Sequence, residues 1–195
     1  GSLAERYGRS QTNVYDLGCS LGASTLQLRK HVPPNCQVIG VDSSEAMVER
    51  CRATLSRDHS AAPFDIRLED LRNTVIENAS IVVLNFTLQF VPDQERLAIL
   101  KRIAEGIVPG GILLLAEKVR FDGESEQSLM ADLHHDFKKY QGYSDLEVAQ
   151  KRTALENVLV PNSEQQHISR LAEAGFSTQV QCVRCLNFET FLAIR

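Results

Sequence analysis

The stretch Asn13-Val-Tyr-Asp-Leu-Gly-Cys-Ser-Leu-Gly22 constrains this chain more than any other. Val14 and Tyr15 have the β-branched and aromatic character of a buried strand, and residues 24–31 place apolar side chains at helical spacing. Between them Gly18 and Gly22 carry no Cβ, so the backbone can turn tightly and approach a ligand closely. Strand, small-residue turn and helix in that order predict a ligand cradle, although the motif alone also fits a glycine turn that binds nothing. A dinucleotide cradle has G-x-G-x-x-G directly after the strand and the pyrophosphate on the helix N-terminus. Here the pattern is Asp16-x-Gly18-x-Ser20-x-Gly22, with an acid first and no third glycine at that offset. A carboxylate at the strand end suits a cationic ligand and repels a pyrophosphate.

Strand-like and helix-like segments alternate along the rest of the chain. Residues 36–42 form a continuous apolar run of the kind found in parallel strands covered on both faces, and residues 45–55 are helical. Residues 64–68 alternate as a third strand, and 79–86, the most apolar run, predict the central fourth. A helix over 92–106 ends in glycine, and Pro109-Gly-Gly111 turns into a fifth strand over 112–118. Residues 179–185 and 187–194 predict a closing antiparallel hairpin. The alternation, without repeats or low-complexity linkers, predicts an α/β, doubly wound, mostly parallel sheet of seven strands. A helical insertion over 124–174 precedes the hairpin and is expected to read the substrate; its second helix is capped by Ser144 with Glu147 at the box position. With 195 residues and 43% hydrophobic content the chain can close one full core, so a single domain over 1–195 is expected.

Several polar residues stand at the ends of these strands. Asp42 closes the second strand where an acid in a nucleoside-binding α/β fold accepts hydrogen bonds from ribose hydroxyls. The alternative is a helix cap by Asp42, Ser43 or Ser44; one serine can cap and leave Asp42 for ribose. Asn85 at the end of the fourth strand either meets the ligand or caps the following turn. Five cysteines scattered among apolar segments predict reduced thiols, and Cys182-Val-Arg-Cys185 lacks the second pair or histidine that a zinc site needs. His134 and His135, being adjacent, face different sides of a helix, so no metal is expected, though one of them can line a pocket. A net charge of −4 without a basic run argues against direct nucleic-acid binding. No stretch approaches the length of a membrane helix and no signal peptide is visible, so a cytoplasmic protein is expected.

The Asp16-to-Gly22 cradle resembles the first motif of class I S-adenosylmethionine (SAM)-dependent methyltransferases, whose fold is Rossmann-like. The resemblance becomes specific over Tyr15-Asp-Leu-Gly-Cys-Ser-Leu-Gly-Ala23, Val83-Leu-Asn-Phe-Thr-Leu-Gln-Phe90, His134-His-Asp-Phe-Lys138, Gly142-Tyr-Ser-Asp-Leu-Glu147 and Gln150-Lys-Arg-Thr-Ala-Leu-Glu-Asn-Val158. Together these are similar to the bacterial carboxy-S-adenosyl-L-methionine synthase family of wobble-uridine modification, across essentially the whole chain. Ser20 departs from the general methyltransferase motif but fits that family.

The resemblance implies a transferase that joins SAM and prephenate to give carboxy-SAM and phenylpyruvate. An implied route deprotonates the sulfonium methyl to an ylide, which captures carbon dioxide as prephenate aromatises; no residue stands out as a general base. The product would serve a separate transferase acting on transfer RNA. The resemblance places Asp16, Gly18, Cys19, Ser20, Asp42, Ser43, Asp70, Leu71 and Asn85 around SAM or carboxy-SAM, with Asp70 and Leu71 at the adenine; a solvated acidic loop is the alternative for Asp70. It makes Arg152 the anchor of the transferred carboxylate, a role for which a guanidinium fork is suited. Beside an ordinary sulfonium Arg152 would repel, and beside carboxy-SAM it meets a negative group. The alternative for Arg152 is an exposed side chain paired with Glu147 or Glu156 on its own helix. The family also implies a homodimer and an N-terminal segment upstream of residue 1, including a tyrosine that contacts the cofactor. An ordinary small-molecule methyltransferase and a catalytically inactive SAM-binding module are the rival readings.

Overall fold

The computed structural model describes residues 1–156 and 158–195, with the backbone alone over 151–156. Seven strands, β1 (Asn13–Leu17), β2 (Gln37–Asp42), β3 (Phe64–Leu68), β4 (Ala79–Asn85), β5 (Ile107–Lys118), β6 (Thr178–Cys185) and β7 (Phe188–Ile194), form a sheet in the order β3-β2-β1-β4-β5-β7-β6. The first five run parallel, and β7 is antiparallel to both β5 and β6. β1 is buried from Val14 to Leu17 and β4 from Ala79 to Leu84, as their continuous apolar runs require of strands covered on both faces. β7 alternates buried and half-buried residues.

Helices cover the two faces. Tyr15, Leu17, Val82, Leu84, Leu113 and Leu115 pack in one core with Leu100 and Ile103 of α4 (Asp93–Gly106) and Leu171 of α7 (Glu164–Glu173). Val14, Val38, Ile81, Val83 and Ile112 pack on the other face with Ala4 of α1 (Ser2–Tyr7) and Leu28 of α2 (Ala23–His31). Val48, Cys51 and Leu55 of α3 (Glu45–Ser56) close a third cluster over Ile66 and Cys19. Arg29, in the last turn of α2, is buried and ties α2 to the end of α3 and the loop that follows it. Its guanidinium donates to the carbonyls of Leu55 (2.9 Å), Ala62 (2.7 Å), Ser60 (2.8 Å) and Asp58 (3.2 Å), and it pairs with the Asp58 carboxylate at 3.2 Å.

The chain departs from the sequence expectation in two places. β5 starts at Ile107 and passes through Pro109-Gly110-Gly111 instead of turning there. Gly110 adopts φ +73°, its N–H donates to the Arg195 carbonyl at 2.8 Å, and the Arg195 N–H donates to the Gly111 carbonyl at 3.0 Å. Pairing with the chain's last residue holds these glycines in the sheet as an irregular stretch of strand, with the β4 register shifting between Ala79 and Ile81. The helical insertion is also shorter than 124–174. α5 (Glu124–Tyr140) and α6 (Asp145–Glu156) belong to it, and the Ser144–Glu147 capping box is present. α7 has its own box, Ser163 with Gln166, and buries Leu171 in the core with Phe176, so it is part of the layered fold.

α5 buries no residue, and Leu129, Leu133, Phe137 and Tyr140 stay exposed along one of its faces. Among the described residues no helix is long and apolar enough to cross a membrane.

Replacing Arg29 with Met keeps the buried stem and strands four carbonyls. Arg29→Met is expected to lower the urea-unfolding free energy by about 2 to 4 kcal/mol. A change below about 0.5 kcal/mol, the range of surface substitutions, would show that water replaces the guanidinium at no cost.

Candidate functional site

The strand order reverses between β1 and β4, which opens a crevice at the carboxyl ends of the parallel strands. A cavity of about 390 Å³ lies there. It brings together Gly18, Asp42, Ser43, Asp70 and Leu71 from the sequence-derived set, and its remaining wall includes Thr87, Phe90, Val91 and Pro92.

Backbone geometry shapes the cradle. Gly18 has φ +83°, and both its N–H and that of Cys19 donate to the Val41 carbonyl, at 2.8 and 2.9 Å. A Cβ on Gly18 would fall 2.3 Å from the Thr87 hydroxyl oxygen, so only glycine lets the β1 turn and the loop after β4 touch. Ser20 turns through φ +49° and donates its N–H to Asp42 Oδ2 at 2.9 Å.

Asp42 is not left free by a capping serine. Its Oδ1 accepts the Ser44 N–H at 2.9 Å, and Ser44, at the N-cap of α3, makes no side-chain capping bond. Each carboxyl oxygen has taken one N–H and keeps a second lone pair for a hydroxyl donor. Asp70 is more fully engaged. The Arg72 guanidinium forks onto it, with Nη2 to Oδ2 at 2.6 Å and Nε to both oxygens, and the Arg72 N–H donates to Oδ1 at 2.8 Å. That pairing holds the Asp70 carboxyl below its ordinary range. Any further donor at Asp70 has to share the carboxylate with Arg72, which also reaches Glu95 at 3.5 Å.

Four expected residues, Ser20, Cys19, Asp16 and Asn85, do not line this cavity. Cys19 is buried against Val48, Cys51, Leu55 and Ile66, and its N–H is used internally, so it acts here as a packing residue. Asp16 is 1% exposed beneath the turn. Its Oδ2 accepts the Thr25 hydroxyl at 2.6 Å, while Oδ1 has no hydrogen-bond partner. Burial pushes its carboxyl up from 3.8 to about 6. An unpartnered carboxyl oxygen at this depth suits a cationic group. Asn85 is exposed and donates Nδ2 to the Ser24 hydroxyl at 3.1 Å, linking the end of β4 to the start of α2. It lines a second, largely apolar cavity of about 510 Å³ with Ser24, Gln27 and the β4–β5 face. The turn after β4 takes the Asn85 carbonyl, which accepts the Thr87 hydroxyl at 3.2 Å. Arg152 lies on α6, and its side chain is outside the described residues. His134 packs edge-on against Phe188 with ring centroids 4.9 Å apart, and His135 Nε2 lies 3.3 Å from Asp145. Among the described residues no group of three or more His, Cys, Asp and Glu gathers for a metal ion.

Sequence reasoning missed the loop that completes the cavity and the groups that hold it. Glu117, fully buried near the end of β5, accepts the N–H groups of Leu88 at 2.9 Å and Gln89 at 3.0 Å. Burial pushes its carboxyl up to about 8, against the pull of these N–H groups and Arg96. Arg96, 1% exposed on α4, donates to the carbonyls of Val91 (2.9 Å), Gln89 (3.1 Å) and Val160 (2.9 Å), and also to the Asn162 side chain. A sequence signal existed: Glu117 directly follows the apolar run Ile112 to Ala116, and a charge there is uncommon unless paired.

Comparison with known proteins adds to this geometry. The model of a methyltransferase domain matches residues 14–111. The chain is 51% identical over 196 residues to the carboxy-S-adenosyl-L-methionine synthase of Vibrio campbellii, covering all of this chain and 80% of that protein. It is 53% identical to the enzyme of the same name from Haemophilus ducreyi, with the same coverage. Among solved structures, the magnesium protoporphyrin IX methyltransferase of Synechocystis with bound SAM superposes at a TM-score of 0.62 and 17% identity, covering 95% of this chain and 71% of that one. At that identity the likeness shows a shared fold.

Asp16 supplies a pH prediction. Its folded-state value is raised, so its contribution to stability is complete below about pH 4 and is lost as pH rises through about 6. Between about pH 5 and pH 7.5 the urea midpoint of the ligand-free protein should fall more steeply with pH than that of Asp16→Asn. Identical slopes would remove Asp16 as the titrating group.

Proposed function

Because the chain belongs to the carboxy-S-adenosyl-L-methionine synthase family, we propose that it joins SAM and prephenate to form carboxy-SAM, phenylpyruvate and water. The carrying observation is the 51% identity over the full chain, backed by a cradle that begins with an acid instead of a dinucleotide glycine. The enzyme is a transferase, and its cofactor serves as a co-substrate. The step balances: prephenate loses carbon dioxide and its hydroxide as the ring aromatises, the sulfonium methyl loses one proton, and hydroxide and proton leave as water. The new bond joins the methyl carbon to the carboxyl carbon.

The residues divide this work. Asp42, with a lone pair remaining on each oxygen, takes the ribose hydroxyls, and Asp70 and Leu71 meet the adenine beside Arg72. The unpartnered oxygen of buried Asp16 gives the cationic end of SAM a negative counterpart. Gly18 and Ser20 adopt the left-handed turn that carries the cradle over Asp16. Arg152 is assigned to the transferred carboxylate, where its fork favours the carboxylated cofactor over the bare sulfonium. The absence of a basic run in a chain of net charge −4 suits a cytoplasmic enzyme whose product is delivered to transfer RNA by another protein.

Incubation with SAM and prephenate should yield a cofactor heavier by one carboxyl group together with phenylpyruvate, seen by mass spectrometry. Methyl transfer to an acceptor, or no product, would favour the ordinary methyltransferase or the inactive module. Arg152→Ala should weaken carboxy-SAM binding about tenfold or more while leaving SAM binding unchanged or stronger, measured by calorimetry. Equal losses for both ligands would remove Arg152 from the selective role.

A homodimer is part of the same proposal, supported by the exposed apolar face of α5. The double variant Leu133→Glu, Phe137→Glu should sediment as a monomer where the parent sediments as a dimer. A parent that is itself monomeric would overturn this assignment.

A further inference from the structure

We propose that Glu117 is a positioning residue for SAM, acting through the backbone of Leu88 and Gln89 so that Thr87, Phe90, Val91 and Pro92 form one wall of the cofactor cavity. The proposal rests on reading that cavity as the SAM site. Glu117 does not line the cavity, and neither the family comparison nor the sequence motifs single it out.

The chain needs such a group at this point. After β4, Phe86 gives its N–H to the Ala116 carbonyl at 2.7 Å and turns through φ +57°, a conformation that a bulky side chain rarely adopts. Thr87 then packs on Gly18, and a single 3₁₀ turn follows over Leu88–Phe90. The first N–H groups of a helical turn have no partner within it, and Leu88 and Gln89 are both buried, so water does not serve them. Glu117 supplies one oxygen to each. Gln89 answers in the other direction: its Oε1 accepts the Lys118 N–H at 3.1 Å, so two consecutive residues of β5 are laced to two consecutive residues of the loop. On the far side Arg96 takes the Gln89 and Val91 carbonyls.

The loop is therefore clamped at its start by the end of β5 and at its close by α4, with Phe90, Val91 and Pro92 presented to the cavity between the clamps. A ligand that binds only the clamped form has its apparent affinity reduced by the fraction of time the loop spends elsewhere. Substituting Glu117→Gln preserves shape but turns an NH₂ group onto one of the two N–H groups. Glu117→Asp keeps the carboxyl group and withdraws it by one methylene. Each loosens the wall formed by Thr87, Phe90, Val91 and Pro92, so the effect is expected on the cofactor that this cavity is read to hold.

The test is steady-state kinetics on the full enzyme, varying SAM and prephenate separately, for the parent and both variants, with thermal melts alongside. The expected result is a rise of about three- to tenfold in KM for SAM, with kcat and KM for prephenate within about twofold of the parent. Unchanged KM for SAM in both variants would overturn the proposal. So would a parallel loss in all three parameters that follows the folded fraction, or failure of both variants to fold, because Glu117 would then serve the fold as a whole. Calorimetry on the parent separates the two levels of inference: a parent that does not bind SAM removes the cofactor reading of the cavity itself, before any variant is considered.

Discussion

The contact between Gly18 and Thr87 sets the shape of the functional edge. A Cβ at Gly18 would sit 2.3 Å from the Thr87 hydroxyl oxygen, so the turn after β1 and the loop after β4 meet only because that position carries no side chain. The N–H groups of Gly18 and Cys19 converge on one carbonyl of β2, which draws the turn toward Asp42 and brings the Ser20 N–H onto its carboxyl oxygen. The cavity is what remains between a turn tied to β2 and a loop tied to β5.

Two buried acids, Asp16 at the end of β1 and Glu117 at the end of β5, meet the cost of burial differently. Glu117 satisfies two backbone N–H groups that would otherwise be orphaned. Asp16 satisfies one hydroxyl and leaves an oxygen without a partner. The first arrangement is complete without a ligand and belongs to the scaffold. The second leaves a local deficit of positive charge, which suits a site for a cationic cofactor.

Much of the fold was legible along the chain because the parallel strands are continuous apolar runs, and burial on both faces demands such runs. The Ser144–Glu147 cap was legible because its partners are three residues apart. The entry into β5 was not, because Pro109-Gly110-Gly111 reads as a turn until Arg195 pairs with it from the far end of the chain. α7 merged with the insertion for a similar reason: its helical pattern resembles α5 and α6, and only packing of Leu171 into the core separates them. Within the site, Gly18, Asp42, Ser43, Asp70 and Leu71 stand at strand ends, where sheet topology alone gathers them. The engagement of Asp70 by Arg72 and the internal packing of Cys19 depend on side-chain direction, which spacing does not carry.

The sequence by itself determined the doubly wound α/β class and the acid-first cradle that departs from a dinucleotide fingerprint, because periodicity and local spacing encode those features, while the family rests on motifs shared with known proteins. Tertiary structure alone decided which residues face the cavity. Thr87, Phe90, Val91 and Pro92 line the cavity on a loop that Glu117 of β5 and Arg96 of α4 both hold, and Asn85 turns toward Ser24 and a different cavity. The physical reason is that a hydrogen bond between distant segments depends on the register and twist of the strands that carry its partners, and these are set when the whole sheet packs.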